Sequence, residues 1–305
     1  MMEGILPVWK PAGWTSHDVV AKVRGILRVK RIGHAGTLDP QVTGVLPLCI
    51  GRATRVVEYV QERPKAYEAV LQLGLATDTE DLTGAIISQL DNITIVESEI
   101  RRTLASFVGE IMQVPPMYSA VRVEGKRLYE LAREGHIIER QARPVTIYRL
   151  ELLELELGMA HPRIRFSVQC SKGTYIRTLC VDIGKALGVP AVMAELTRTL
   201  SGGFTREHCL TMEEIQKLHA AGELESKLLP ADSALSHLPS GSVNAATAQY
   251  AFQGKRIPLQ NIQALQRIDD QSLVCLYRDD GLFLGLFEAD KDTGSLKAVK
   301  VFTSV

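Results

Sequence analysis

Apolar and polar positions recur along this chain with two periods, and the switches between them mark out its elements. Residues 4–9 (GILPVW) are a short apolar run that predicts a strand. Val19, Val20, Val23, Ile26 and Leu27 then follow at helical spacing. Ser16 stands where a helix cap is expected, and Asp18 lies in the first turn, where a carboxylate is favoured. Residues 45–50 read as a buried strand, and residues 51–61 return to helical spacing. Tyr67, Ala69, Leu71 and Leu73 alternate with Glu68, Val70 and Gln72, which predicts a strand with one rather polar face. Residues 77–84 (TDTEDLTG) form a turn-rich acidic loop, and 97–107 a helix. The stretch VRVEGKRLY predicts a strand, a turn at Glu124 and Gly125, and a helix that runs to Arg133 and stops at Gly135. Residues 143–157 and 162–170 are long alternating strands, and 174–187 is a helix closed by Gly188. Thr211 and Glu214 make a capping box for a further helix that Gly222 ends. After residue 237 short strands alternate with turns: SLVCLYR, LFLGLFEAD and LKAVKVF predict a small all-β module.

Composition narrows the class. A chain of 305 residues with 46% hydrophobic and 23% charged residues suits a soluble protein of one large or two ordinary domains. No apolar stretch approaches a membrane span, and the N-terminus lacks the basic-then-apolar order of a secretion signal, so the cytoplasm is the expected location. Five cysteines without a CxxC pair argue for buried thiols rather than a disulfide framework. Seven histidines form no HExxH or comparable cluster, so neither a metal site nor a cofactor is expected.

Net charge is zero, but its distribution is uneven. Residues 1–60 hold eight Lys and Arg against four Asp and Glu, and residues 161–210 hold seven against three. Residues 61–110 reverse the sign, with four against nine. Two basic blocks on a neutral chain suit a local cleft for a phosphate-rich partner. Candidates for phosphate contact are Lys22, Arg24, Arg28, Lys30, Arg31, Arg52, Arg55, Lys172 and Arg206.

The first basic block leads into residues 33–55, GHAGTLDPQVTGVLPLCIGRATR, and a lone carboxylate, Asp39. Glycines on both sides allow tight bends, and Pro40 biases Asp39 towards an extended backbone. Such a turn holds one acid at a fixed angle.

This run resembles the carboxylate motif of the pseudouridine synthases, in particular the bacterial TruB family. Four further segments resemble family signatures in family order: KPAGWTS (10–16), KAYEA (65–69), VPPMYSAVRVEGKRLYELAREG (114–135) and CSKGTYIRTLCVDIG (170–184). Val42 departs from the pattern, where alanine is commoner. The resemblance implies an α/β (α+β) fold with a mixed or antiparallel central sheet flanked by helices. It further implies a catalytic domain over 1–237, with an insertion around 74–135, and a PUA-like RNA-binding module over 238–305. The implied activity is isomerisation of uridine to pseudouridine at position 55 in the T-loop of tRNA, by a monomer that binds the T-arm.

The chemistry agrees with a single acid. The N1–C1′ bond of uridine is replaced by a C5–C1′ bond, without redox change, phosphate transfer or metal. An ionised carboxylate starts this by attack on C1′, by attack on C6, or by removing the C2′ proton; the sequence leaves all three open. Each route needs Asp39 charged and partly dry, and hence a cationic partner. By resemblance that partner is Arg177 in the segment YIRTL. Tyr67 is implied as a catalytic residue, its ring stacking on the detached base and its hydroxyl aiding loss of the C5 proton. A free tyrosine pKa of about 10 makes it a poor base without a local shift. Tyr175 is implied as a pocket wall, Leu196 as an apolar floor, and His34 as the stacking group that fills the gap left by an extruded base. Lys10 supports the acid loop or touches phosphate, and Gly36 and Thr37 complete the substrate-binding set. Alternative readings are a guide-RNA-dependent synthase, a tRNA-folding chaperone, and an N-glycosidase, although hydrolysis asks for a second carboxylate.

Overall fold

The computed structural model describes residues 2–119, 121–123, 125–136, 138–265 and 268–302. The chain opens with β1 (Gly4–Lys10), α1 (Ser16–Leu27), β2 (Ile32–His34) and β3 (Thr43–Ile50). Thr15 caps α1 in place of Ser16: its side chain accepts from the Asp18 amide, and the Asp18 carboxylate accepts from the Thr15 amide. Ser16 is thereby turned inwards and buried. A 3₁₀ turn leads into α2 (Val57–Glu62) and then β4 (Lys65–Leu73).

The next segment folds as a hairpin of β5 (Leu75–Thr77) and β6 (Ile86–Gln89), helix α3 (Glu97–Ser106) and strand β7 (Gly109–Gln113). A short hairpin, β8 (Arg122–Val123) and β9 (Lys126–Arg127), precedes α4 (Leu128–Arg133). Of the turn expected there, Glu124 lies outside the described residues. Strands β10 (Arg143–Glu156) and β11 (Arg163–Cys170) follow, then α5 (Ile176–Ala186), β12 (Ala191–Ser201) and α6 (Met212–Ala220).

Eight of these strands form one mixed sheet in the order β1-β3-β12-β4-β11-β10-β7, with β2 beside β3. Every neighbour is antiparallel except β3 and β12, which run parallel over Thr43–Thr197 and Gly44–Arg198. β4 lies between β12 and β11, so the polar face expected of it is largely covered; among its residues only Glu68 is exposed.

The C-terminal part is a second sheet, built from β13 (Ser240–Val243), β14 (Ile257–Pro258), β15 (Leu273–Arg278), β16 (Phe283–Asp290) and β17 (Ser295–Val301). Its order is β13-β15-β16-β17-β14, and one helix, α7 (Ala245–Phe252), packs on it. An apolar cluster joins this small β domain to the main sheet, with Val45, Val56 and Leu235 on one side and Cys275, Leu286 and Phe302 on the other. The Tyr277 hydroxyl donates to Asp232 at 2.9 Å, and Lys300 pairs with Glu58 of α2 at 2.9 Å. Among the described residues no helix is long and apolar enough to cross a membrane.

Candidate active site

The acid turn occupies residues 35–42, between β2 and β3, where the sheet makes its parallel joint. Leu38 and Val42 are buried in the apolar cluster on that face of the sheet, flanking Asp39, whose side chain is 44% exposed. The loop's backbone is tied from four sides. The Leu38 amide donates to Ser16 Oγ at 2.9 Å, and that hydroxyl donates back to the Leu38 carbonyl at 3.3 Å. The Pro40 carbonyl accepts from the Gly13 amide at 2.9 Å and from Lys10 Nζ at 3.0 Å. Within the loop the Val42 amide donates to the Asp39 carbonyl at 3.1 Å. From beneath, Arg198 donates to Gly36, Thr37 and Val45 carbonyls at 3.1, 3.3 and 2.8 Å.

Lys10 is fully buried, and its ammonium also donates to the carbonyls of Pro11 at 2.8 Å and Trp14 at 2.5 Å. Three carbonyls occupy its three N–H donors, so it braces the KPAGWTS segment against the loop and has no surface left for a phosphate. Burial lowers its pKa to about 8. Gly36 and Thr37 offer their carbonyls inwards to Arg198, while the Thr37 residue itself is exposed.

Asp39 Oδ2 lies 3.1 Å from Arg177 Nη2. The Arg177 side chain is only 8% exposed. Its other contacts explain how it is aimed: Nη1 donates to the Thr79 carbonyl at 3.0 Å and Nη2 to the Tyr118 carbonyl at 2.7 Å. Both carbonyls belong to the segment inserted between β4 and β10. A planar guanidinium serves the carboxylate and the two carbonyls from one rigid fork, which fixes its angle to Asp39. The start of α5 is held by Gln113 at the end of β7. Its Oε1 accepts from the Tyr175 amide at 2.7 Å, and its Nε2 donates to the Tyr175 carbonyl at 3.0 Å. Nothing in the sequence pattern singles out Gln113; its role appears only when β7 ends beside α5.

A second carboxylate stands behind the arginine. Glu80 Oε2 accepts from Thr178 Oγ1 at 2.7 Å. Burial raises the Glu80 pKa, with the Thr178 hydrogen bond and the charge of Arg177 opposing the rise.

Tyr67 on β4 is buried in the cluster that holds Leu38 and Val42, and it pairs directly with Arg198 on β12. Asp39 is close enough to add its charge to those acting on the hydroxyl. Burial raises the Tyr67 pKa, while Arg198 opposes the rise by charge and hydrogen bonding. The net shift is upwards, so the phenol stays protonated at neutral pH and the local shift that a base would need is in the wrong direction. Leu196 lies two residues before Arg198 on the same face, opposite Ala69, between two irregularities in the β12–β4 ladder. It packs against the same cluster. Tyr175, half-buried, stands at the N-terminus of α5, two residues before Arg177. His34 ends β2 and leads into the loop; burial lowers its pKa, partly opposed by the Gly36 backbone, so the ring is neutral at pH 7.

The basic residues divide into two groups. Lys22, Arg24, Arg28, Lys30 and Arg31, along α1 and the approach to β2, are exposed and form no ion pair among the described residues. Arg52 pairs with Glu3, Lys172 pairs with Glu62, Arg206 lies 4.8 Å from the centre of the Trp9 ring, and Arg55 lies over Phe302 and donates to the Val301 carbonyl. The first group is thus the one free to meet a polyanion.

Comparison with known proteins places this geometry in context. Residues 24–176 match the family model for the N-terminal domain of TruB family pseudouridylate synthases. Residues 177–236 match that for the C-terminal domain of tRNA pseudouridylate synthase B. A tRNA pseudouridine synthase B of Halalkalibacterium halodurans is 47% identical over 94% of this chain and 93% of its own length. That of Geobacillus thermodenitrificans is 45% identical over 99% and 100% respectively. Among solved structures, a Cbf5-Nop10-Gar1 complex contains a chain with a TM-score of 0.78 at 29% identity, covering 98% of this chain and 85% of that one. A chain of an H/ACA RNP bound to a substrate RNA containing 2′-deoxyuridine gives a TM-score of 0.76 at 28% identity, covering 99% and 85%.

Proposed function

The chain belongs to the TruB family of pseudouridylate synthases, and on that premise we propose that it isomerises uridine to pseudouridine at position 55 in the T-loop of tRNA, with Asp39 as the acid that opens the glycosidic bond. The observation that carries this reading is the ion pair between half-exposed Asp39 and buried Arg177 at 3.1 Å. The guanidinium holds the carboxylate at a fixed angle, and exposure leaves it open to a nucleotide. The target uridine is extruded from its stack. Asp39 assists rupture of the N1–C1′ bond, the base turns, and C5 bonds to C1′. The proton on C5 is lost and N1 gains one, so the mass of the RNA does not change.

The remaining residues divide the work. The Tyr67 ring and Leu196 are walls for the turning base, and the protonated Tyr67 hydroxyl serves as a hydrogen-bond donor. Tyr175 closes the pocket beside Arg177. His34, neutral and half-buried, stacks in the gap. Lys10, Gly36 and Thr37 act through the position of the loop rather than by contact with phosphate. The unpaired basic stretch from Lys22 to Arg31 meets the backbone of the T-arm, and affinity falls with salt accordingly.

We assign the catalytic domain to residues 1–237, with its insertion around 74–135, and a PUA-like module to residues 238–305, in a cytoplasmic monomer. A stand-alone enzyme is favoured over a guide-RNA-dependent one: relatives at 43 to 48% identity are named tRNA pseudouridine synthase B, whereas the ribonucleoprotein chains stand at 28 and 29%. The test is incubation of the purified chain with an unmodified tRNA transcript, followed by tritium release from 5-³H-uridine and mapping of the modified position. Product at position 55 with unchanged RNA mass is expected. Asp39→Asn is expected to abolish product and leave tRNA binding intact; full activity in that variant would refute the assignment.

A further inference from the structure

Arg198 is fully buried, one of the largest side chains to be so among the described residues. Among the described residues no carboxylate pairs with it. A cation taken out of water without a counter-charge is costly, and an aliphatic side chain of similar volume would fill the space more cheaply. Burial accordingly lowers its pKa, although a guanidinium stays protonated. What the charge meets is the backbone of the acid loop. Nε, Nη1 and Nη2 donate to the carbonyls of Val45, Thr37 and Gly36. The first of these is at the root of the loop in β3, and the other two stand two and three residues before Asp39. On its other side Arg198 faces Tyr67 across the ladder.

The fit is close on both sides of the joint. A Cβ on Gly36, at φ +105°, would stand 3.3 Å from Arg198 Nη1. A Cβ on Gly44, at φ +119°, would stand 2.2 Å from the Arg198 carbonyl oxygen and 2.6 Å from its amide nitrogen. The glycines at these two positions let the loop close down on this residue.

We propose that Arg198 is a positioning residue for the reaction, holding the backbone of the Asp39 loop in register with the strand that carries Tyr67. It touches neither the nucleotide nor the bond that breaks. Its three donors fix where the loop leaves the sheet, and so fix the distance from the carboxylate to the base wall. This rests on Asp39 being the reacting acid.

The experiment compares Arg198→Lys, which keeps the charge and loses the fork, with Arg198→Met, which keeps much of the volume and loses both. Kinetics on a tRNA transcript are measured beside hydrogen exchange of the loop amides in the free protein. A displacement of the acid by about 1 Å is worth about 100-fold in rate, so kcat is expected to fall about 100-fold in Arg198→Met and about 10-fold in Arg198→Lys. KM for tRNA is expected to stay within about threefold, because the surface that meets RNA is unchanged. Amides of residues 36–38 are expected to exchange faster in both variants. Wild-type kcat in either folded variant, or a loss confined to KM, overturns the proposal. Should Arg198→Met fail to fold, Arg198→Lys decides by the same criteria. A wild-type protein that makes no pseudouridine would sink the proposed function instead, and the exchange rates would still judge the loop contact.

Discussion

Glu80 shows how much the surroundings of one side chain decide. It lies in the acidic loop between β5 and β6, which has every mark of a solvated turn, yet Met193 donates its amide to the Glu80 carbonyl and Thr178 its hydroxyl to the carboxylate. Burial is the chief cause of its raised pKa. A carboxyl whose folded pKa lies above its unfolded value binds its proton more tightly in the native state. The native state therefore loses stability relative to the unfolded chain as pH rises from about 4.5 through the raised value. Glu80→Gln keeps an acceptor for Thr178 and never ionises. Its stability is expected to match the wild type near pH 4 and to exceed it at pH 7, as measured by urea unfolding at both values. A constant difference at the two pH values would mean that Glu80 does not titrate in this window. The residue scale also marks the limit of reading a chain by pattern. Asp39 and its partner Arg177 were legible because the turn around the acid and the YIRTL segment carry recognisable motifs. Arg198 was not, because an arginine between threonines in ELTRTLS has the look of an outward-facing polar position. Only the landing of β12 in mid-sheet puts it inside.

At the scale of elements, the site is made where two strands that are distant in sequence run parallel for two residues. The alternating strands β4, β10 and β11 were predictable from their periodicity, and so were α1, α3, α5 and α6. β12 and β7 go beyond the predicted elements for a physical reason. β12 carries two ladder irregularities that break a strict period of two, and β7 is five residues long with its apolar side chains partly exposed at an edge. The cap of α1 differs by one residue from expectation because Ser16 is needed elsewhere, holding Leu38. The parallel joint itself is set by Gly44, where Arg198 backbone atoms come too near for any side chain. Gly44→Ala is therefore expected to destabilise the protein by about 3 kcal/mol, since neither strand's backbone can give way. Gly188→Ala, also at positive φ but with nothing within 4 Å of the added methyl, is expected to cost about 1 kcal/mol from backbone strain alone. Chemical denaturation of the two variants measures the contrast; equal losses would show that crowding at the joint is relieved by a shift of β3.

For the whole molecule, the question is whether the small β domain is an appendage or part of the same folding unit. Three of its basic side chains are paired within the domain, Arg256 with Asp290, Arg278 with Asp280 and Lys291 with Asp269. Its packing argues for a structural bond. Leu286 and Cys275 are buried in one cluster with Val45, Ala35 and Val56, and Ala35 is the first residue of the acid loop. Arg55 in the 3₁₀ turn after β3 and Glu58 on α2 reach β17 through the Val301 carbonyl and Lys300, and Gln61 on α2 donates to the His34 carbonyl at 3.4 Å. The second sheet is thus connected to the loop through one helical turn and a shared apolar core. A continuous core of this kind couples the unfolding of its two sides. Leu286→Ala removes a fully buried side chain and is expected to cost about 2–5 kcal/mol. In calorimetry the wild type is expected to unfold in a single transition, and the variant to move that whole transition several degrees down. Two transitions, with only the smaller one displaced by Leu286→Ala, would mean that the β domain unfolds by itself and leaves the acid loop unsupported by it.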